Sequence, residues 1–105
     1  MRQSVIQHLL SLPFVEERKS RFADAPAFWI GNREFAHFHG VSWLDLRLTR
    51  NEIRKLQRLT KSDLITEFRR SSSDWLRVDL GLSEINCVLD LIDTAYLRAR
   101  EEMGI

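Results

Sequence analysis

A chain of 105 residues with 44% apolar and 30% charged side chains has the makeup of one globular domain, residues 1–105, with material for a single hydrophobic core and not for a second. Sixteen Lys/Arg against fifteen Asp/Glu leave a net charge of +1, so the total gives no electrostatic ground for a dedicated polyanion binder. The lone Cys87 excludes an intramolecular disulfide and a cysteine-based zinc site, and no apolar run approaches the roughly 18 residues of a membrane span; with no signal-peptide core at the N-terminus, a soluble, cytoplasmic protein without membrane contact is expected.

In chain order the first element is a short helix. Val5, Ile6, Leu9 and Leu10 recur at helical spacing until Pro13 stops the pattern. From Ala27 to Leu48 the density of Phe, Trp and Ile, punctuated by Gly31-Asn32 and Gly40, predicts an antiparallel meander of three strands, 27–30, 34–39 and 43–48. Thr49-Arg50-Asn51-Glu52 then has the form of a capping box, and Ile53, Leu56 and Leu59 follow as the apolar stripe of a helix whose other face, Arg50, Arg54, Lys55 and Arg58, is solvated. Leu64, Ile65 and Phe68 suit either a helical turn or a strand, and 61–70 is read as loop. After three serines, Asp74–Leu80 alternates as a half-buried strand, with Leu76, Val78 and Leu80 on one side and Trp75, Arg77 and Asp79 on the other. Gly81 ends it. Ser83 is the expected cap of a long amphipathic helix marked by Ile85, Val88, Leu89, Ile92, Ala95, Tyr96 and Ala99. Cys87, beside Val88 in that helix, reads as a small hydrophobe.

Strands grouped between helices imply an α+β fold, an antiparallel sheet of about four strands with helices on one face, in the order α-β-β-β-α-β-α. Function is then expected on the other face. Trp43, Asp45 and Arg47 of one strand and Trp75, Arg77 and Asp79 of another lie on the side that is not leucine-lined, and two tryptophans there indicate a groove, a ligand platform or a dimer contact. An equally open reading packs both tryptophans under the 61–73 connection.

The run Glu34-Phe35-Ala36-His37-Phe38-His39-Gly40 carries the most chemistry, because histidines at i and i+2 share one side of a strand beside a turn. Two hairpin registers fit it. A Gly40-Val41 loop pairs His39 with Ser42 and His37 with Leu44, sending both imidazoles to the leucine side; adding Ser42 to the loop pairs His39 with Trp43 and His37 with Asp45. A one-residue shift moves the whole set across the sheet, and local sequence does not choose. The candidate catalytic residues are His37, as base or ligand-anchoring donor, with His39 and Asp45 as its supports. Trp43 and Trp75 are candidate walls, and Glu34, Arg47 and Arg77 further ligand contacts. An imidazole suits acid–base work near neutrality, and a neighbouring carboxylate sets its tautomer. The competing view is that both histidines only satisfy hydrogen bonds within the hairpin. Two histidines and an acid without a third ligand at suitable spacing do not specify a metal site, and no cofactor is indicated.

With Leu44-Asp45-Leu46, Ser73-Asp74-Trp75, and Leu91-Ile92 and Ala95-Tyr96 in the last helix, this run resembles the luciferase-domain family, over roughly residues 13 to 99. Typical members read Glu-Ile-Gly-His-Leu-His-Gly, then Ala-Asp-Leu-Pro-Phe, then Ser-Gly-Trp; here Ala36, Arg47 and Asp74 stand at the glycine, proline and glycine positions. Many members also carry a His and a Pro before Ser-Gly-Trp, and 66–72 has neither. The resemblance implies a small aromatic ligand and cofactor-independent oxygenase-like chemistry of the kind fungal luciferases perform on a hydroxypyrone. The element order is also similar to double-wing proteins of the MmcQ and YjbR type, which implies the alternative of a non-enzymatic nucleic-acid- or protein-binding module. For that, eight Lys/Arg against three Asp/Glu between Arg47 and Arg70 would supply the basic side, although the near-zero net charge disfavours it. A homodimer through the aromatic face is the third partner to consider.

Overall fold

The computed structural model describes residues 1–22, 24–58, 66–68 and 74–105. Elements follow in the order α1 (Arg2–Ser11), β1 (Val15–Lys19), β2 (Pro26–Ile30), β3 (Arg33–His39), β4 (Trp43–Arg47), α2 (Arg50–Arg58), β5 (Thr66–Phe68), β6 (Trp75–Asp79) and α3 (Ile85–Met103). The fold is α+β, with all strand pairs antiparallel in the spatial order β1-β2-β3-β4-β6-β5.

The four expected strands and three helices are present, and the sheet gains a strand at each edge. At one edge β1 reads Val-Glu-Glu-Arg-Lys, with four consecutive charged, exposed side chains and no alternation for a pattern argument to find. Its strand conformation comes from pairing along the whole of β2. At the other edge, Thr66–Phe68 pairs with β6 within the segment expected to be loop, a correction that the local pattern of Leu64, Ile65 and Phe68 left open. The remainder of 61–70 lies outside the described residues.

One face of the sheet makes the core. Phe28, Ala36, Phe38, Leu44, Leu46, Leu76 and Val78 point to the helices, where Val5 and Leu9 of α1, Ile53 of α2 and Val88, Ile92, Ala95 and Ala99 of α3 meet them. α3 lies across β2, β3 and β4, while α1 packs on β1 and α3. The capping box at α2 forms as expected: the Glu52 amide donates to Thr49 Oγ1 (3.2 Å) and the Glu52 carboxylate accepts from the Thr49 amide (3.1 Å). The α3 cap differs. Asp79 Oδ1 accepts from the amides of Gly81 and Leu82, and the Asp79 carbonyl accepts from the Ser83 amide, so the chain is held in a turn through Ser83. Glu84 therefore becomes the N-cap, accepting from the Cys87 amide at 3.1 Å.

Two local devices position the face that carries the candidate site residues. The β3–β4 loop is Gly40-Val41-Ser42, with His39 opposite Trp43, so the longer of the two hairpin registers is the one that forms. Gly40 has φ +64, a left-handed conformation that a glycine adopts without steric cost, and its carbonyl accepts from Arg2 Nη1 at 3.2 Å. The second device is a bulge in β3. Phe28 faces Ala36 but Trp29 faces Glu34, so Phe35 is an extra residue against β2. Phe35 and Ala36 both belong to the core, with Phe35 edge-on to Tyr96 at 6.2 Å. Core packing should dominate stability: Phe28, fully buried and edge-on to Phe38 at 6.0 Å, is expected on replacement by alanine to cost about 3–5 kcal/mol in urea unfolding, as large aromatic truncations do.

Candidate functional site

On the face away from the helices, strand pairing sets His37 of β3, Asp45 of β4 and Arg77 of β6 side by side. Glu34 joins them because of the bulge. Residues three apart on a regular strand face opposite sides, and the extra residue at Phe35 returns Glu34 to the face of His37.

The four side chains form one hydrogen-bonded chain. His37 Nδ1 lies 3.0 Å from Glu34 Oε2, and His37 Nε2 lies 3.0 Å from Asp45 Oδ2. Arg77 closes on the other side of Asp45, its Nε donating to Oδ1 at 2.8 Å and its Nη2 to Oδ2 at 3.2 Å. Glu34, His37 and Asp45 are 3%, 4% and 1% exposed, so each charge depends on its partner rather than on water. An ionised carboxylate only accepts, so a ring nitrogen facing one is satisfied when it carries the proton. The order along the row is Glu34, His37, Asp45 and Arg77, so each carboxylate lies beside a basic group. Burial pushes the Asp45 carboxyl up, but hydrogen bonds from His37 and Arg77, together with their charges, outweigh it and bring Asp45 from 3.8 down to about 2.

Glu34 has further donors. Ser20 Oγ donates to Oε2 (2.9 Å) and the Arg21 amide to Oε1 (2.7 Å), while the Phe22 amide donates to Ser20 Oγ (3.0 Å). Those contacts hold the chain after β1 against the site and place Phe22 over it. The Trp75 ring tilts against His37 with centroids 4.8 Å apart, and Phe22 stands edge-on to Trp75 at 5.5 Å.

Above this floor opens a cleft of about 560 Å³, lined by Phe22, Asp24, Ala25, His37, His39, Asp45 and Trp75 among others. Of the expected site residues, Glu34, His37, Asp45, Trp75 and Arg77 come together. His39 is exposed and lines the mouth. Trp43, opposite His39 and Asp79, is half-buried and does not line the cleft. Arg47 also stands apart from the lining, with its guanidinium 5.9 Å from the Trp75 centroid. Sequence reading missed Ser20, Arg21 and Phe22. Their only signal was an aromatic residue beside a serine between two unassigned stretches, which does not distinguish a site from any polar turn.

Among the described residues no group of three or more His, Cys, Asp or Glu is arranged to hold a metal ion, since the two ring nitrogens point to different carboxylates. No helix among those residues is long and apolar enough to cross a membrane. The chain matches no protein-family model and no curated protein.

The lowered carboxyl gives the site a pH signature. An acid whose folded value lies below its unfolded one stabilises above the unfolded value and loses that contribution as pH falls through the folded one. The Asp45 contribution, about 2–3 kcal/mol from the drop of 3.8 to about 2, should be complete above pH 4 and disappear toward pH 2. Urea unfolding of wild type and Asp45→Asn should therefore show a stability gap that narrows across that window.

Proposed function

We propose that this protein binds a small planar, aromatic ligand in the cleft bounded by Phe22, Trp75 and the edge of β3. The observation that carries this reading is a recess of about 560 Å³ with two aromatic walls over a floor whose charges are already paired. Its volume falls within the usual range for small-molecule sites. A pre-satisfied floor costs nothing to reorganise, so affinity would come from stacking on Trp75 and Phe22 and from exclusion of water. Such a surface has no use for the core, which lies on the opposite side of the sheet.

A second reading extends the first, and His39 favours it. Both nitrogens of His37 are engaged by carboxylates, which leaves His37 to fix the floor. His39, exposed at the mouth, has an imidazole placed to take a proton from a bound hydroxyl group. Cofactor-independent oxygenase-like chemistry would start from such an anion, with dissolved O2 as co-reactant, and this is what the resemblance to the luciferase-domain family implies. In that reading Asp45 and Glu34 hold His37, and Arg77 holds Asp45.

The test uses a hydroxypyrone as probe and titration calorimetry as readout, which does not depend on the tryptophan being replaced. Wild-type protein should bind it saturably, and Trp75→Ala should weaken binding about tenfold or more, the usual worth of an aromatic stacking partner. His39→Ala should keep binding and lower any O2 consumption measured with an oxygen electrode. Binding that ignores both Trp75→Ala and Phe22→Ala would sink the assignment to this cleft.

A further inference from the structure

The carboxylate of Glu34 touches two things that are otherwise unconnected. On one side it accepts from His37 Nδ1, and on the other it accepts from Ser20 Oγ and the Arg21 amide, all within 3.0 Å. Glu34 is buried, so water does not substitute for a lost donor. The Arg21 amide and Ser20 hydroxyl are where the chain leaves β1, one and two residues before Phe22, and Ser20 Oγ in turn holds the Phe22 amide. Phe22 itself is 57% exposed, and its ring meets those of Trp75 and His37. Its backbone is linked to Glu34 through Ser20 and Arg21.

We infer that Glu34 is a positioning residue that fixes the imidazole of His37 and the aromatic wall at Phe22 together, so that a change at either one is felt at the other. The physical basis is competition for one acceptor. Ser20 Oγ and His37 Nδ1 share the same oxygen, Oε2, at 2.9 and 3.0 Å. Removing one donor strengthens the electrostatic hold of that oxygen on the other and lets the carboxylate turn toward it; removing the carboxylate frees both. The bulge is what permits this role. With Phe35 in regular register, Glu34 would face the helices and meet neither group. The use made of this coupling, shaping a ligand wall, rests on the binding proposed above, but the coupling itself exists without ligand.

Ser20→Ala is the decisive variant, because Ser20 makes no hydrogen bond to His37 and its removal leaves the charge chain intact. Two signals are followed by NMR without ligand: hydrogen exchange at the Arg21 amide and the resonance of the His37 Nδ1 proton. Both should respond, exchange at Arg21 quickening roughly tenfold and the His37 proton shifting, since equilibrium coupling between sites is reciprocal. Glu34→Gln should move both signals further, and His37→Gln should slow Arg21 exchange, because the carboxylate then turns toward the Ser20–Arg21 side. A Ser20→Ala protein with an unmoved His37 resonance would overturn the inference, as would unchanged Arg21 exchange in folded Glu34→Gln. A merely structural Ser20 would loosen its own segment and leave the imidazole signal where it was. Wild type that fails to bind the hydroxypyrone would count against the ligand reading alone, because neither NMR signal depends on it.

Discussion

The buried Glu34, His37 and Asp45 and the half-buried Arg77 form a row of polar groups that need one another, and the register of three strands is tied to that requirement. An isolated carboxylate in the sheet would cost several kcal/mol, whereas the alternation Glu34, His37, Asp45, Arg77 leaves each carboxylate beside a basic partner. The chain runs across β3, β4 and β6, so it can close only when these three strands are in the observed register. A slip of one residue would turn Asp45 or Arg77 toward the leucine core, exposing an unpaired charge to hydrocarbon and a leucine to water. The polar layer thus specifies the same register as the hydrophobic one from the opposite face of the sheet.

The layers divide the work. Leu44, Leu46, Leu76 and Val78 are buried in the core on the helix side of the sheet, and the intervening residues of the same strands are free to build the candidate site. Rigid strands give the site its precision: His37, Asp45 and Arg77 are placed by backbone pairing, and their hydrogen bonds then fix the rotamers. The wall at Phe22 is held differently, by three bonds from Glu34 and Ser20 at the end of an exposed edge strand. The floor is thus fixed by strand register, and the wall is tethered by side chains at one edge of the sheet.

Individual residues show why some of this was readable from sequence. Period-two alternation in 74–80 gave both the strand and its faces, and the Thr49–Glu52 box gave a helix start, because both depend on neighbours in the chain. The histidine pair and Asp45 stood out because i, i+2 spacing keeps side chains on one face. Glu34 was a candidate contact, but three-residue spacing from His37 would put it on the other side of a regular strand, and only the bulge reverses that. β1 and the Ser20–Phe22 segment escaped notice for a related reason. Val-Glu-Glu-Arg-Lys is a strand by virtue of β2 beside it, and nothing local encodes the partner.

By itself, then, the sequence determined the α+β class, the strands and helices with strong periodicity, and the face of the sheet on which polar and aromatic residues gather, since these are set by short-range pattern and burial. Tertiary structure alone decided which hairpin register forms, where β3 bulges, and hence that Glu34 and Asp45 take hold of His37 from its two sides. Those choices are long-range: they depend on Phe35 finding Tyr96, on Asp45 finding Arg77 and on Ser20 finding Glu34. Such contacts are made between residues whose mutual distance a linear pattern does not contain.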